Sequence, residues 1–144
     1  MTTAPPLIVV AGPTATGKTG LAIELAEALA ATDRPVEIIS ADSRQVFRGL
    51  DIGTAKASAT DRARVPHHGL DLVDPDVSFS VADFATHVAG VLDDLGRRGG
   101  IAILAGGTGL YLRAIAHGLD TDALPSDAVL RARLETDLQE DGLE

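Results

Sequence analysis

Cysteine is absent from the 144 residues and aromatics make up only 3% of them. Without cysteine the chain can form neither disulfides nor thiolate metal sites, and it suits a reducing compartment. With so few aromatics, the core must be built from Ala, Val, Leu and Ile. The apolar share of 45% is ordinary for a soluble globular protein, and the length fits one domain, spanning 1–144, that buries a real core. Long hydrophobic runs are missing too. The first apolar run, Leu7 to Ala11, is far too short for a signal or a membrane span, and no basic stretch precedes it. No membrane association is expected, and the chain reads as cytoplasmic.

Positive charge is also scarce, with a net charge of −9. Its distribution matters more than its sum. Residues 120–144 hold eight acids against Arg131 and Arg133, a net of −6, so the first 119 residues carry only −3. Net charge governs long-range attraction, and a local basic groove can exist on an acidic protein. A nucleic-acid partner is therefore neither supported nor excluded.

The pattern of what is present predicts alternating strands and helices. Leu7 to Ala11 and Val36 to Ser40 read as buried strands, as does Ile101 to Ala105. Leu21, Leu25, Ala28 and Leu29 recur at helical spacing and predict a helix over 18–31. Residues 41–66 read as mostly irregular, and His68 to Val73 as a short third strand. Ser80 and Asp83 form a capping-box pattern opening a helix to about Arg98, with Val81, Phe84, Val88, Val91, Leu92 and Leu95 as its apolar stripe. A short helix runs through Ala116, and Leu124-Pro125-Ser126 caps a polar helix from about Asp127 to Glu140. The expected fold is α/β, an open, mostly parallel sheet with flanking helices. Ligands bind such sheets beyond the carboxyl ends of the strands. Three loops leave those ends, at 12–19, 41–48 and 106–109.

The first loop, Gly12-Pro13-Thr14-Ala15-Thr16-Gly17-Lys18-Thr19, matches the phosphate-binding pattern G-x-x-x-x-G-K-[ST] at every defined position, with a strand before it and a helix after. Its backbone N–H groups can wrap phosphate oxygens at a helix N-terminus. Lys18 would neutralise the terminal phosphates and the Thr19 hydroxyl would ligate Mg²⁺. The pattern names phosphate, not its owner. On the second loop, Asp42 follows a strand expected to run beside the first. It could hold Mg²⁺ through water, accept a proton from a nucleophile, or simply cap a turn. Ser43, Arg44 and Gln45 offer hydrogen bonds to a polar acceptor, or are merely solvated. Gly106-Gly107-Thr108-Gly109 is a second glycine turn, serving either ligand approach or tight strand–helix packing. His67 and His68, being adjacent, point to opposite faces and cannot share a metal, so a structural or solvated role is expected. Arg62, Arg64, Arg97 and Arg98 read as surface coating.

Four segments together resemble one family. They are the glycine loop 12–19, the block IISADSRQVFRGLDIGTAK from Ile38 to Lys56, the pair Val65-Pro66-His67-His68 with Ser80-Val81-Ala82-Asp83-Phe84, and Gly106 to Tyr111. In order and content they are similar to the tRNA dimethylallyltransferases, which prenylate an adenosine beside the anticodon. That resemblance implies a fold like the P-loop nucleoside-triphosphate hydrolases, dimethylallyl diphosphate as donor, and the exocyclic amine of adenine as nucleophile. Lys18, Thr19 and bound Mg²⁺ would then stabilise the leaving diphosphate, and Asp42 would take the amine proton. Asp42, Ser43, Arg44, Gln45 and Thr108 match positions that contact tRNA, with Arg131 a further match across a small gap. Phe47 stands where the family usually has tyrosine. Family chains are about twice as long and favour monomers, so a truncated chain with an incomplete sheet is expected. Its alternatives are a fragment that binds diphosphate without turnover, a small ATP-using P-loop kinase, and a prenyltransferase acting on free adenine nucleotides.

Overall fold

The computed structural model describes residues 4–118 and 127–142. In chain order the elements are β1 (Leu7–Ala11), α1 (Lys18–Ala30), β2 (Val36–Ser40), α2 (Ala59–Arg64), β3 (His67–His68), α3 (Val81–Arg97), β4 (Ile101–Gly106), α4 (Gly109–Arg113), a π-helical turn Ala114–Gly118, and α5 (Ala128–Asp141). The four strands form one parallel sheet in the order β1-β4-β2-β3. The carboxyl end of β2 is therefore not beside β1, contrary to expectation. β4 lies between them, with Leu7 opposite Ala102 on one side and Val36 opposite Ile101 on the other.

Because side chains alternate along a strand, an apolar run in a parallel sheet serves two cores. Ile39, Ala102 and Leu104 face one side, where they meet Phe84, Val88 and Leu95 of α3 and Tyr111 of α4. Ile38, Ile101 and Ile103 face the other, against Ala22, Ile23 and Ala26 of α1. Two of the four aromatic rings, Phe84 and Tyr111, stack with centroids 4.1 Å apart. On α1 the buried face differs from the leucine stripe. Ala22, Ile23 and Ala26 lie against the sheet, Leu25 and Leu29 border it, and Leu21 is 56% exposed. Small residues let the helix axis approach the sheet more closely than leucines would.

The capping box of α3 forms as read: Asp83 N–H donates to Ser80 Oγ at 3.2 Å and Ser80 N–H to Asp83 Oδ2 at 2.8 Å. A second box, Ser58 with Asp61, opens α2 inside the segment expected to be irregular. That helix has six residues and buries none, so it carries no apolar periodicity to read. The third strand is shorter than expected and starts one residue earlier. Gly69 and Asp71 both take positive φ (77° and 54°) and turn the chain out of the sheet, leaving only a bridge from Phe47 to Val73. Asp127 caps α5 by accepting Leu130 N–H at 2.9 Å, while Leu124 to Ser126 lie outside the described residues. Among the described residues no helix is long and apolar enough to cross a membrane.

The arginines do more than coat the surface. Arg98 donates to Glu37 Oε1 at 2.7 Å, and His68 Nε2 meets Glu37 Oε2 at 2.7 Å, so two partners satisfy a carboxylate that is nearly buried on β2. Arg64 forks onto Glu27 of α1, and Arg62 reaches Asp71. Arg64, Arg97 and Arg98 stay exposed as expected, and among the described residues Arg97 pairs with Asp94 on its own helix.

Candidate active site

The three carboxyl-end loops converge, and glycine explains how. A Cβ on Gly106 would sit 2.2 Å from the Ala41 carbonyl oxygen, and one on Gly107 would sit 3.1 Å from the Gly12 carbonyl oxygen. Only a residue without a side chain lets β4 pass so close to the end of β2. Backbone bonds then lace the loops together. Ala41 N–H donates to Ala105 O at 2.8 Å, Thr108 N–H to Ala41 O at 3.1 Å, and Gly12 N–H to Gly106 O at 3.4 Å. Thr108 adds its side chain, whose Oγ1 accepts Ser43 N–H at 3.0 Å. The central position of β4 is what allows its turn to hold both neighbours.

The first loop wraps the start of α1. Ala15 and Gly17 take left-handed backbone angles (φ 63° and 81°), which turn the chain back over the helix N-terminus. Lys18 Nζ donates to the Pro13 carbonyl, and Thr16 Oγ1 donates to the same oxygen at 2.9 Å. Lys18 thus reaches back across its own loop. Thr14, Thr16 and Thr19 are exposed.

Beside this loop lies a cavity of about 290 Å³. Residues 14–19 form one side of it, and Asp42, Gln45 and Gly106 reach it from the other two loops. Its remaining wall is largely apolar: Ile38, Leu70, Ala57 and Ala105, with Thr54 and Ala55. Asp42 Oδ1 accepts Arg44 N–H at 2.9 Å, which shapes the turn and leaves Arg44 itself exposed. The Gln45 amide is engaged at both ends: Oε1 accepts from Ser40 Oγ at 2.7 Å and Nε2 donates to Thr54 O at 2.9 Å. Arg131 is exposed on α5 and does not line this cavity. The structure thus brings together the glycine loop, Asp42 and Gln45, holds Ser43 and Thr108 just behind them, and leaves Arg131 apart.

His67 also lines the cavity, where a structural or solvated role was expected. Its Nδ1 lies 2.7 Å from Val65 O, which fixes that nitrogen as the protonated donor and leaves Nε2 with a lone pair. Nε2 is buried and has no hydrogen-bond partner among the described residues. Burial lowers the pKa of the ring, keeping it neutral further into the acidic range. The signal that could have found it was its place at the carboxyl side of a short strand, within a stretch already singled out. Among the described residues no cluster of three or more His, Asp or Glu stands ready as a metal cage.

A model of the IPP transferase family matches residues 45–144. The chain belongs to the IPP transferase family. Relatives in that family include the tRNA dimethylallyltransferase of Geobacter metallireducens, 49% identical over 138 residues, which are 96% of this chain and 43% of the relative. The tRNA dimethylallyltransferase of Anaeromyxobacter dehalogenans is 49% identical over 136 residues, 94% of this chain and 44% of the relative. Among solved structures, the tRNA isopentenylpyrophosphate transferase of Bacillus halodurans superposes with a TM-score of 0.75 at 41% identity, covering 94% of this chain and 43% of that one. A eukaryotic dimethylallyltransferase acting on tRNA gives 0.72 at 32% identity, covering 95% and 32%. The chain thus spans less than half the length of these IPP transferase relatives. The four-stranded parallel sheet with its flanking helices is the P-loop nucleoside-triphosphate-hydrolase-like fold that the family resemblance implied.

Proposed function

We propose that this chain binds dimethylallyl diphosphate and forms the catalytic part of an enzyme that transfers its dimethylallyl group to the exocyclic N6 amine of an adenosine next to the anticodon in tRNA. One observation carries the reading: a phosphate-type glycine loop and the Asp42 carboxylate line a single cavity whose remaining wall is largely apolar. A diphosphate with a short hydrocarbon tail matches that division, with oxygens on residues 12–19 and the tail toward Ile38, Leu70 and Ala105.

In the reaction a bond forms from N6 to C1 of the donor as the C1–O bond to diphosphate breaks, and diphosphate leaves with the electron pair. Backbone N–H groups of 14–19 and the Lys18 ammonium, moved from the Pro13 carbonyl onto the ligand, stabilise that charge. An aromatic amine is a weak nucleophile, and Asp42 takes its proton as the new bond forms. The Thr19 hydroxyl is a hard oxygen donor on this cavity, a fit for Mg²⁺, which shares few protein ligands with phosphate oxygens and water. When bound, it would neutralise diphosphate charge. Ser43, Arg44, Gln45 and Thr108 flank the acceptor side and serve the tRNA, and Arg131 of α5 would reach it from elsewhere. A chain without cysteine that works on tRNA suits the cytoplasm.

A second reading has support from the chain's share of its relatives, 43% and 44%. On that reading it binds the donor without turnover. The test is to incubate the chain with dimethylallyl diphosphate, Mg²⁺ and either unmodified tRNA, AMP or ATP, then analyse adenosine products by mass spectrometry. Prenylated adenosine in tRNA alone is expected. Transfer to free nucleotide would instead indicate a nucleotide prenyltransferase. Donor binding without product would favour the second reading, and neither binding nor product would sink the proposal.

A further inference from the structure

Lys56 closes the block that began with the Asp42 loop, and a lysine so near a phosphate loop invites assignment to phosphate. The geometry assigns it elsewhere. Its side chain has no solvent exposure, and its ammonium has three partners: Phe47 O at 2.7 Å, Asp71 Oδ1 at 2.6 Å and Asp51 Oδ1 at 2.8 Å. Three N–H donors meet three acceptors, so nothing remains to offer a ligand. Burial pulls the ammonium pKa down, and the two carboxylates outweigh it, holding the group above its usual value. Asp71 in turn receives Arg62 at 2.7 Å, and Arg62 Nε grips the Ala57 carbonyl at 2.9 Å. Two cations and two anions form a closed set.

What this set holds is the cavity wall. Thr54, Ala55 and Ala57 line the cavity, while Lys56, between them, turns to the far side with Asp51, Arg62 and Asp71. From inside, Gln45 Nε2 holds Thr54 O. The wall is also strained at Ala55, a non-glycine residue at φ 50°. Such an angle costs alanine on the order of 1–2 kcal/mol and persists only where the surroundings impose it. Without Lys56, Ala55 is free to relax and carry the wall with it.

We propose that Lys56 is a positioning residue that fixes the wall Thr54 to Ala57, and so sets the site's preference for the organic half of its ligand over the bare diphosphate. The proposal rests on the donor reading above. Calorimetric titration with dimethylallyl diphosphate and with inorganic diphosphate, both with Mg²⁺, tests it on the chain, on Lys56→Met and on Asp51→Asn. Lys56→Met should bind inorganic diphosphate within about twofold of the parent and lose about tenfold or more for dimethylallyl diphosphate, the scale of a wall displaced by a fraction of an ångström. Asp51→Asn takes the charge from one exposed partner of the ammonium while leaving an acceptor oxygen, and should show a smaller loss of the same kind. If Lys56→Met fails to fold, that variant decides by the same criterion. Equal losses for both ligands, or none for either, overturn the proposal. A parent chain that does not bind dimethylallyl diphosphate refutes the donor reading. The wall is then judged by amide exchange at Ala55, whose N–H donates to Ile52 O at 3.1 Å. Exchange at least about tenfold faster in Lys56→Met keeps the positioning role, and unchanged exchange refutes it.

Discussion

Replacing Gly106 with alanine tests the joint that holds the site together. The added methyl would lie 2.2 Å from the Ala41 oxygen, 2.5 Å from its carbonyl carbon and 2.9 Å from its Cα, all of them backbone. Ordinary contact begins at 3.4 Å, so the Ala41 peptide must retreat by the difference, about 1.2 Å. That peptide is tied to Ala105 and Thr108, and Ser43 two residues on is tied to the Thr108 hydroxyl. Overpacking costs about 1–3 kcal/mol and losing one such bond adds about 1 kcal/mol. At roughly 3 °C per kcal/mol for a chain of this size, the melting temperature should fall by about 6–12 °C. Asp42 would move with the peptide, and a displacement near 1 Å is worth on the order of 100-fold in transfer. Inorganic diphosphate binding should change far less, because residues 14–19 are not attached to Ala41. Thermal melts, diphosphate titration and the transfer assay read the three quantities. A melting temperature within about 2 °C of the parent, with transfer within about twofold, would refute the reasoning and show that the Ala41 peptide yields freely.

Asp42→Asn should abolish transfer while leaving donor affinity nearly intact; a large loss of Mg²⁺-dependent affinity would favour a metal role for that carboxylate. Phe84→Ala removes a fully buried ring stacked on Tyr111, and should cost about 3–5 kcal/mol in urea unfolding. Ser80→Ala removes one half of the α3 capping box and should cost about 1 kcal/mol by the same measurement. Burial pulls the Asp71 carboxyl up, but hydrogen bonds from Lys56 and Arg62 outweigh it and hold the group below its ordinary 3.8. The stability this gives is fully present above that value and drains as the pH falls through the lowered folded one. Asp71→Asn should therefore flatten the loss of stability below about pH 4, and an unchanged acid slope would contradict the pairing.

β1, β2, β4 and α3 were legible because each is an apolar run or stripe bounded by glycine or proline. Leu7 to Ala11, Val36 to Ser40 and the Ser80 box fall in this class. The order of strands was not legible, since nothing local in Val36 to Ser40 says that Ile101 to Gly106 will insert beside it. The glycine loop, Asp42 and Gln45 could be placed at strand ends, and their convergence followed. The far wall could not, because Ile38, Leu70 and His67 sit on different elements and share the cavity only through the sheet's packing. The ion set around Lys56 joins residues 51, 56, 62 and 71, spread over a loop, a helix and a strained turn, and no periodicity connects them.

The position of β4 between β1 and β2 also bears on the order of events during synthesis. Among the described elements β1 and the glycine loop leave the ribosome before the rest, yet the strand there that β1 pairs with is β4, with Leu7 meeting Ala102 across 95 positions. At about 5–20 residues per second, that interval lasts several seconds. β2 waits as well, although its pairing with β3 joins Ile38 to His67 over a much shorter span. The segment destined to cradle phosphate is thus born early and completed late, and the arrival of Ile101 to Gly106 is the step that turns a string of separate loops into a site.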